Sequence, residues 1–469
     1  MKISSVTRLV RYRLARLALV IGLAGLLLAL WLVAMIPARA DAGIRYVAPD
    51  GDDSKLCDSI ADRCRTVQRA IDVADPFDEI RVATGTYTDA AGTVAAINKT
   101  VTLLGGWNDG FTTCDPNIYP STLDAQRNGR VVYISGNISP TIDGFVITGG
   151  NANNQGGVGG GILSSDASPV IRNNIITNNI AYMGTTPWGK GGGIYLSNAS
   201  ASAIISGNRV LSNTASTTYY GLGGGLCFYS SAVKVSGNEV INNTAGRGGA
   251  AIYLHDSDGV TFNGNQIVGN TAVVSPTAQS SGGGLYIEFT GPFTLTNNVI
   301  AQNYANTAGG GLYVYGSNGI WTSNGELVNN TIAQNNLGSG GEGVYLTGYS
   351  TLTLTNNIVV SHTYGIYNGG SSTATARYTL FYGNTNDTGG RGVINSTNAV
   401  IGDPLFINPA GWDYHLRAGS PCIDAGTDAG VTTDIDNDPR PMGAGVDIGA
   451  DEYHRYAIYL PLVMKSYTG

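Results

Sequence analysis

Between residues 159 and 367 the small, apolar and polar positions recur as one phrase: small residues, an aliphatic, usually a tyrosine, an aliphatic. It reads Gly191-Gly192-Gly193-Ile194-Tyr195-Leu196, then Gly223-Gly224-Gly225-Leu226-Cys227-Phe228, then Gly249-Ala250-Ala251-Ile252-Tyr253-Leu254. The later copies centre on Leu285-Tyr286, Leu312-Tyr313, Val344-Tyr345 and a worn Ile366-Tyr367. The first aliphatic falls at 194, 226, 252, 285, 312, 344 and 366, in steps of 32, 26, 33, 27, 32 and 22. Self-similarity at that period marks a solenoid, whose units bury apolar surface against their neighbours. Apolar positions alternate inside each phrase, and no long stretch of 3.6 periodicity follows residue 80, so the units are built from short strands. Alternation turns Ile194 and Leu196 inward and Tyr195 outward.

A second periodicity lies between the phrases. Asn174, Asn208, Asn238, Asn265, Asn298, Asn330 and Asn357 form one series. Five residues after each come Asn179, Asn213, Asn243, Asn270, Asn303 and Asn335, with His362 in the seventh place. Between them sit short apolar pieces such as Ile175-Ile176 and Val240-Ile241, giving three strands and three turns per unit. Asparagine tolerates left-handed backbone angles and bonds nearby backbone groups, so one per coil, stacked on the next, would satisfy amides at a buried bend. The triple glycine permits a tight bend before the first strand. The coil length, this asparagine series and the phrase Ile142-Asp143-Gly144-Phe145-Val146-Ile147-Thr148-Gly149-Gly150 resemble the right-handed parallel β-helix of pectate-lyase-like proteins, over roughly residues 44–400. That resemblance implies an all-β solenoid of about ten to twelve coils. The glycine-aliphatic repeat is also similar to that of polymorphic outer-membrane adhesins, although their Phe-x-x-Asn motif is mostly missing.

The two ends differ from the middle. Residues 1–16 carry Lys2, Arg8, Arg11, Arg13 and Arg16 and no acid, Leu17 to Ile36 is uninterrupted apolar sequence, and Ala38-Arg39-Ala40 offers a cleavage site. Residues 1–40 therefore read as a signal peptide or signal anchor that leaves the remainder outside the membrane. Residues 41–100 are expected to hold an N-terminal cap and the first coil, with a short capping helix whose apolar positions are Val67, Ala70, Ile71 and Ala74. Repeats fill 101–401. Over 402–453, Gly402-Asp403-Pro404-Leu405-Phe406, Tyr414-His415-Leu416, Pro421-Cys422-Ile423-Asp424-Ala425-Gly426 and Asp447-Ile448-Gly449-Ala450-Asp451-Glu452-Tyr453 resemble the choice-of-anchor Q domain of exported bacterial proteins. Residues 454–469 then read as a sorting or anchoring tail, too short to span a bilayer.

Without the six basic residues of 1–40, 20 basic side chains face 33 acidic ones, a net charge near −13. Nucleic acid, bound through basic contacts to phosphate, is not an expected partner. Cys57 and Cys64, seven apart in a Gly/Asp-rich loop, are expected to pair in an exported chain, and Cys227, in a tyrosine slot, to be a free thiol.

Candidate chemistry is sparse. Aromatic residues in the variable loops before the glycine triplets (Tyr182, Trp188, Tyr219 and Tyr220) and the strand residues Tyr253 and Tyr286 are the candidate sugar-stacking positions. Lys190, Arg247, Asp256 and Glu288 are the ionisable residues from which a cleft could be assembled. The catalytic motifs of uronate lyases and polygalacturonase-like hydrolases are absent, and a fold without its motif carries no activity by itself. Asp434, Asp436 and Asp438 place carboxylates at alternate positions suited to calcium, although Pro439 stands where a calcium loop has glycine. The expected function is that of an exported or cell-surface monomer binding carbohydrate or envelope glycan without catalysis. The alternatives are a diverged polysaccharide lyase or hydrolase, and a structural rod.

Overall fold

The computed structural model describes residues 42–454, apart from 90–91, 183–187, 217–219, 274–279, 318 and 336–340. The expected leader, most of the tail and Tyr219 lie outside the described residues.

The chain winds through three long parallel sheets, visiting each once per coil. One sheet has 13 strands, from Ile44–Val47 to Val393–Thr397; one has 12, from Gly85–Tyr87 to Val400–Ile401; one has 11, from Ala95–Ile97 to Asn386–Gly390. This is a right-handed parallel β-helix, slightly longer than the repeat count implies. The 11-stranded sheet holds the repeated phrase in register, with Ile194, Leu226, Ile252, Leu285, Leu312, Val344 and Ile366 on successive rungs. All seven are fully buried and form the core with partners from the other two sheets. Each such side chain contributes about 1.5–3 kcal/mol by leaving water. The helix Val67–Val73 turns Val67, Ala70 and Ile71 onto the amino-terminal end of that core, and Thr66 caps it by accepting the Arg69 N–H at 3.2 Å.

Both asparagine series form ladders inside the wall. Asn265 shows the pattern: its Nδ2 donates to the Val235 carbonyl at 3.0 Å and to Asn298 Oδ1 at 2.9 Å, and its Oδ1 accepts from the N–H and Nδ2 of Asn238. The second ladder runs from Asn179 to Asn335, passes through His362 and ends on Asn384. The left-handed residue at these bends is the one before each ladder asparagine, such as Asn173, Asn297, Asn329 and Asn356, whereas the ladder asparagines contribute their side chains. A third ladder, of hydroxyls, joins Ser231, Ser257, Thr290 and Ser323 at the remaining corner. Coils approach closely at the glycine triplets: a Cβ on Gly192 would lie 2.5 Å from the Gly224 carbonyl oxygen, so a side chain at that position would force the coils to shift.

Cys57 and Cys64 form a disulfide with Cα atoms 5.0 Å apart, and Cys114, Cys227 and Cys422 are free thiols. After residue 401 the chain turns back along the outer face of the 12-stranded sheet. Tyr414, Leu416, Cys422 and Ile448 pack on Val268, Ala301, Ile358 and Leu380 of that sheet. Side chains preceding the ladder asparagines hold it: Asn297 Nδ2 donates to the Thr433 carbonyl at 2.8 Å, Asn329 Nδ2 to Asp447 at 3.1 Å, and Asn356 Nδ2 to Thr427 at 2.7 Å. Residues 402–454 thus share their apolar contacts with the solenoid.

Candidate functional site

The outer face of the 11-stranded sheet carries two rows of side chains, because residues two apart in a strand share a face. The first row is the tyrosine series: Tyr195, Cys227, Tyr253, Tyr286, Tyr313, Tyr345 and Tyr367 are rung partners. Their rings meet at centroid distances of 4.8 to 5.3 Å from Tyr253 to Tyr367. The second row, two residues on, is Ser197, Tyr229, His255, Glu288, Tyr315 and Thr347. The sequence signalled it only through the same alternation, without a repeated residue type.

Polar and aromatic groups meet where the two rows approach the flank. Lys190 lies in the short strand Gly189–Lys190, paired with Gly221–Leu222. Its Nζ sits 4.0 Å from the centroid of Tyr229 and 5.7 Å from that of Trp188. Arg247 lies over Trp188 at 5.3 Å and over Tyr220 at 5.8 Å. Trp188 and Tyr220 stack at 4.6 Å, and Trp188 remains 40% exposed. Below them, Glu288 accepts the Tyr253 hydroxyl proton and lies 3.4 Å from His255 Nδ1. His255 stacks beside Tyr229 at 4.8 Å. A band of rings continues through Phe289 to Tyr315 and to the exposed Trp321.

Burial sets the ionisation of these groups. It pushes the Lys190 ammonium below its ordinary pKa, against the opposing charges of Cys227 and Glu288. Burial would raise Glu288, but hydrogen bonds from His255 and Tyr253 and the charges of His255 and Arg247 prevail and hold it below the usual carboxylate range. The Tyr253 hydroxyl is pushed far up, first by burial and then by neighbouring tyrosine and glutamate charge. This leaves an ionised Glu288 carboxylate accepting a hydrogen bond from the Tyr253 phenol beneath a cation–aromatic platform.

The sequence-level candidates sort clearly against this geometry. Trp188, Tyr220, Lys190, Arg247 and Glu288 come together. Tyr182 flanks the same edge, its ring Cδ2 3.3 Å from where a Gly157 Cβ would stand. Tyr253 and Tyr286 are corrected: at 2% and 8% exposure their faces are covered, and a Cβ on Gly248 would lie 2.4 Å from Tyr286 Cδ1. They support the platform and cannot stack on a sugar. Asp256 occupies a left-handed turn at φ 49° and accepts the Ser230 hydroxyl, so its carboxylate is engaged in the turn. The calcium triad does not assemble either. Asp434 Oδ1 accepts the N–H groups of Asp436 and Asp438 at 2.9 and 2.8 Å, while Asp436 and Asp438 pair separately with His415 and His454.

Fold and surface together define a β-helix protein that displays an aromatic and cationic strip along one flank. The sequence profile of the family described as "Right handed beta helix region" matches residues 111–300 and 247–386, and the chain belongs to that family. No curated protein matches the chain. Among solved structures, XylC in complex with xylose is similar over 87% of this chain and 98% of its own, at 9% identity and a TM-score of 0.43. An alginate lyase from Paenibacillus sp. str. FPU-7 is similar over 75% of this chain and 99% of its own, at 13% identity and a TM-score of 0.35.

Proposed function

We propose that this is an exported, surface-attached protein that binds carbohydrate on the Trp188–Tyr220–Arg247–Lys190 strip without transforming it. The observation that carries this reading is the exposed Trp188 ring, held flat by Tyr220 and flanked by two cations. Sugar rings present C–H faces that stack on aromatic rings, and their hydroxyls accept hydrogen bonds from guanidinium and ammonium groups. Export is supported by the basic, apolar and small-residue order of residues 1–40 and by the Cys57–Cys64 disulfide. The motifs of 402–453 support surface attachment. A lyase is the second reading, favoured by one observation: burial lowers the Lys190 pKa, which favours the neutral amine that a general base needs.

The deciding experiment passes the full chain over a broad glycan panel while absorbance near 235 nm is followed for unsaturated products. Retention without product is expected. Trp188→Ala should weaken retention by ~5-fold or more, in line with a lost stacking contact of about 1 kcal/mol or more, with an unchanged melting temperature. Equal retention by the variant removes the strip from the site. Product formation that Lys190→Ala abolishes establishes the lyase.

A further inference from the structure

The geometry points to a divalent transition-metal site, distinct from the aromatic strip, formed by His415, Asp436 and Asp451 in the carboxyl-terminal segment. These three residues come from different stretches of chain, yet their potential ligand atoms all lie within 4.8 Å of one another. His415 stands in the strand Asp413–Leu416, Asp436 in the turn that Asp434 organises, and Asp451 in the final described stretch. They line a cavity of about 590 Å³, with His454 paired to Asp438 at 2.8 Å on its wall.

The orientation of His415 is the informative detail. Asp413 Oδ1 lies 2.6 Å from Nδ1, and Asp436 Oδ2 lies 2.7 Å from Nε2. Both ring nitrogens donate to a carboxylate, Nδ1 to Asp413 and Nε2 to Asp436, so an ion would displace the Nε2 proton and sit between His415 and Asp436, while Asp413 on the far nitrogen fixes the ring as an outer-shell carboxylate does for metal-bound histidines generally. Asp451 is held rather than swinging: its Oδ2 accepts the Leu416 N–H at 2.7 Å, which ties it to the residue after His415. Each carboxylate offers about four lone-pair directions, so both acids can ligate while keeping these bonds. One imidazole with two carboxylates suits zinc or a neighbouring first-row ion, whereas calcium takes oxygen ligands alone. A bound ion would join the strand, the turn and the final stretch at one point, clasping the segment against the 12-stranded sheet.

The test is calorimetric titration of the full chain, stripped with chelator, with zinc chloride alone. Saturable uptake of one ion per chain is expected, with a higher melting temperature when loaded. His415→Gln should abolish that uptake. Asp413→Asn, which keeps every ligand, should weaken it by about 10–100-fold, the usual effect of losing an outer-shell partner. No uptake by the unaltered chain, or equal uptake by His415→Gln, overturns the site. Should His415→Gln fail to fold, unchanged affinity in Asp413→Asn overturns it instead. Saturable calcium binding in preference to zinc also overturns it.

Discussion

Asn265→Leu is expected to destabilise the protein by on the order of 3 kcal/mol or more, with no change at the aromatic strip. The side chains are similar in size, so the loss comes from hydrogen bonding. Without the amide, the Asn238 N–H loses its acceptor and the Val235 carbonyl loses its donor, both inside the wall. Each buried group left unpaired costs about 1–3 kcal/mol. The break also interrupts a chain of amides that polarise one another from Asn174 to Asn357. Asn242→Gly is the control. Asn242 is exposed at φ 55°, where glycine fits without strain. Thermal melts of both variants beside the parent decide the matter, and equal melting temperatures would defeat the ladder as a source of stability.

The second large effect is acid sensitivity at His362. Here the asparagine ladder is carried by an imidazole, fully buried, with Nε2 3.3 Å from Asn335 Nδ2 and Nδ1 3.3 Å from Asn384 Oδ1. Asn335 donates to Nε2, so the ring is neutral with its proton on Nδ1, directed at Asn384. Burial pushes its pKa down to about 4. Above pH ~6.5, the ordinary histidine value, neither folded nor unfolded chain holds this proton and the ladder contributes fully. As pH falls from ~6.5 towards 4 the unfolded chain takes up the proton and the folded chain does not, so stability is lost. The whole window is worth on the order of 3 kcal/mol. In His362→Asn the amide both accepts from Asn335 and donates to Asn384 without titrating. Urea unfolding of both forms at neutral pH and at mildly acidic pH should show a smaller acid loss in the variant. The many carboxylates shift both forms alike, and parallel losses would exclude His362 as the cause.

Much of this architecture was legible because repetition amplifies weak signals. One Asn in a loop says little, but seven at coil spacing can only stack, and His362 was visible as the exception within its series. The tyrosine row was equally clear, but its exposure was not. Alternation separates inside from outside of a single wall, and it carries no information about loops that fold over the outside. Tyr253 and Tyr286 were therefore assigned outward correctly and to a ligand incorrectly. The second row escaped notice because Ser197, Tyr229, His255 and Glu288 share a position without sharing a residue type. The acids of the carboxyl-terminal motifs misled in another way. Asp434 and Asp447 accept backbone N–H groups, and Glu452 pairs with the buried Arg440. Their spacing reflects turn geometry. His415 and Asp451 met across a fold-back that no local pattern encodes.

That fold-back alters how the molecule should come apart. In a plain stack of coils each layer depends only on those beside it, so opening can begin at either end and travel inward. The returning segment bonds residues 136, 118 and 107 positions away, at Asn297, Asn329 and Gln302. It bridges several layers at once and can seat only after they exist. The carboxyl-terminal coils should consequently exchange their amide hydrogens as one cooperative block, while the amino-terminal coils yield layer by layer. In this respect the molecule resembles a book with half its pages bound and half loose.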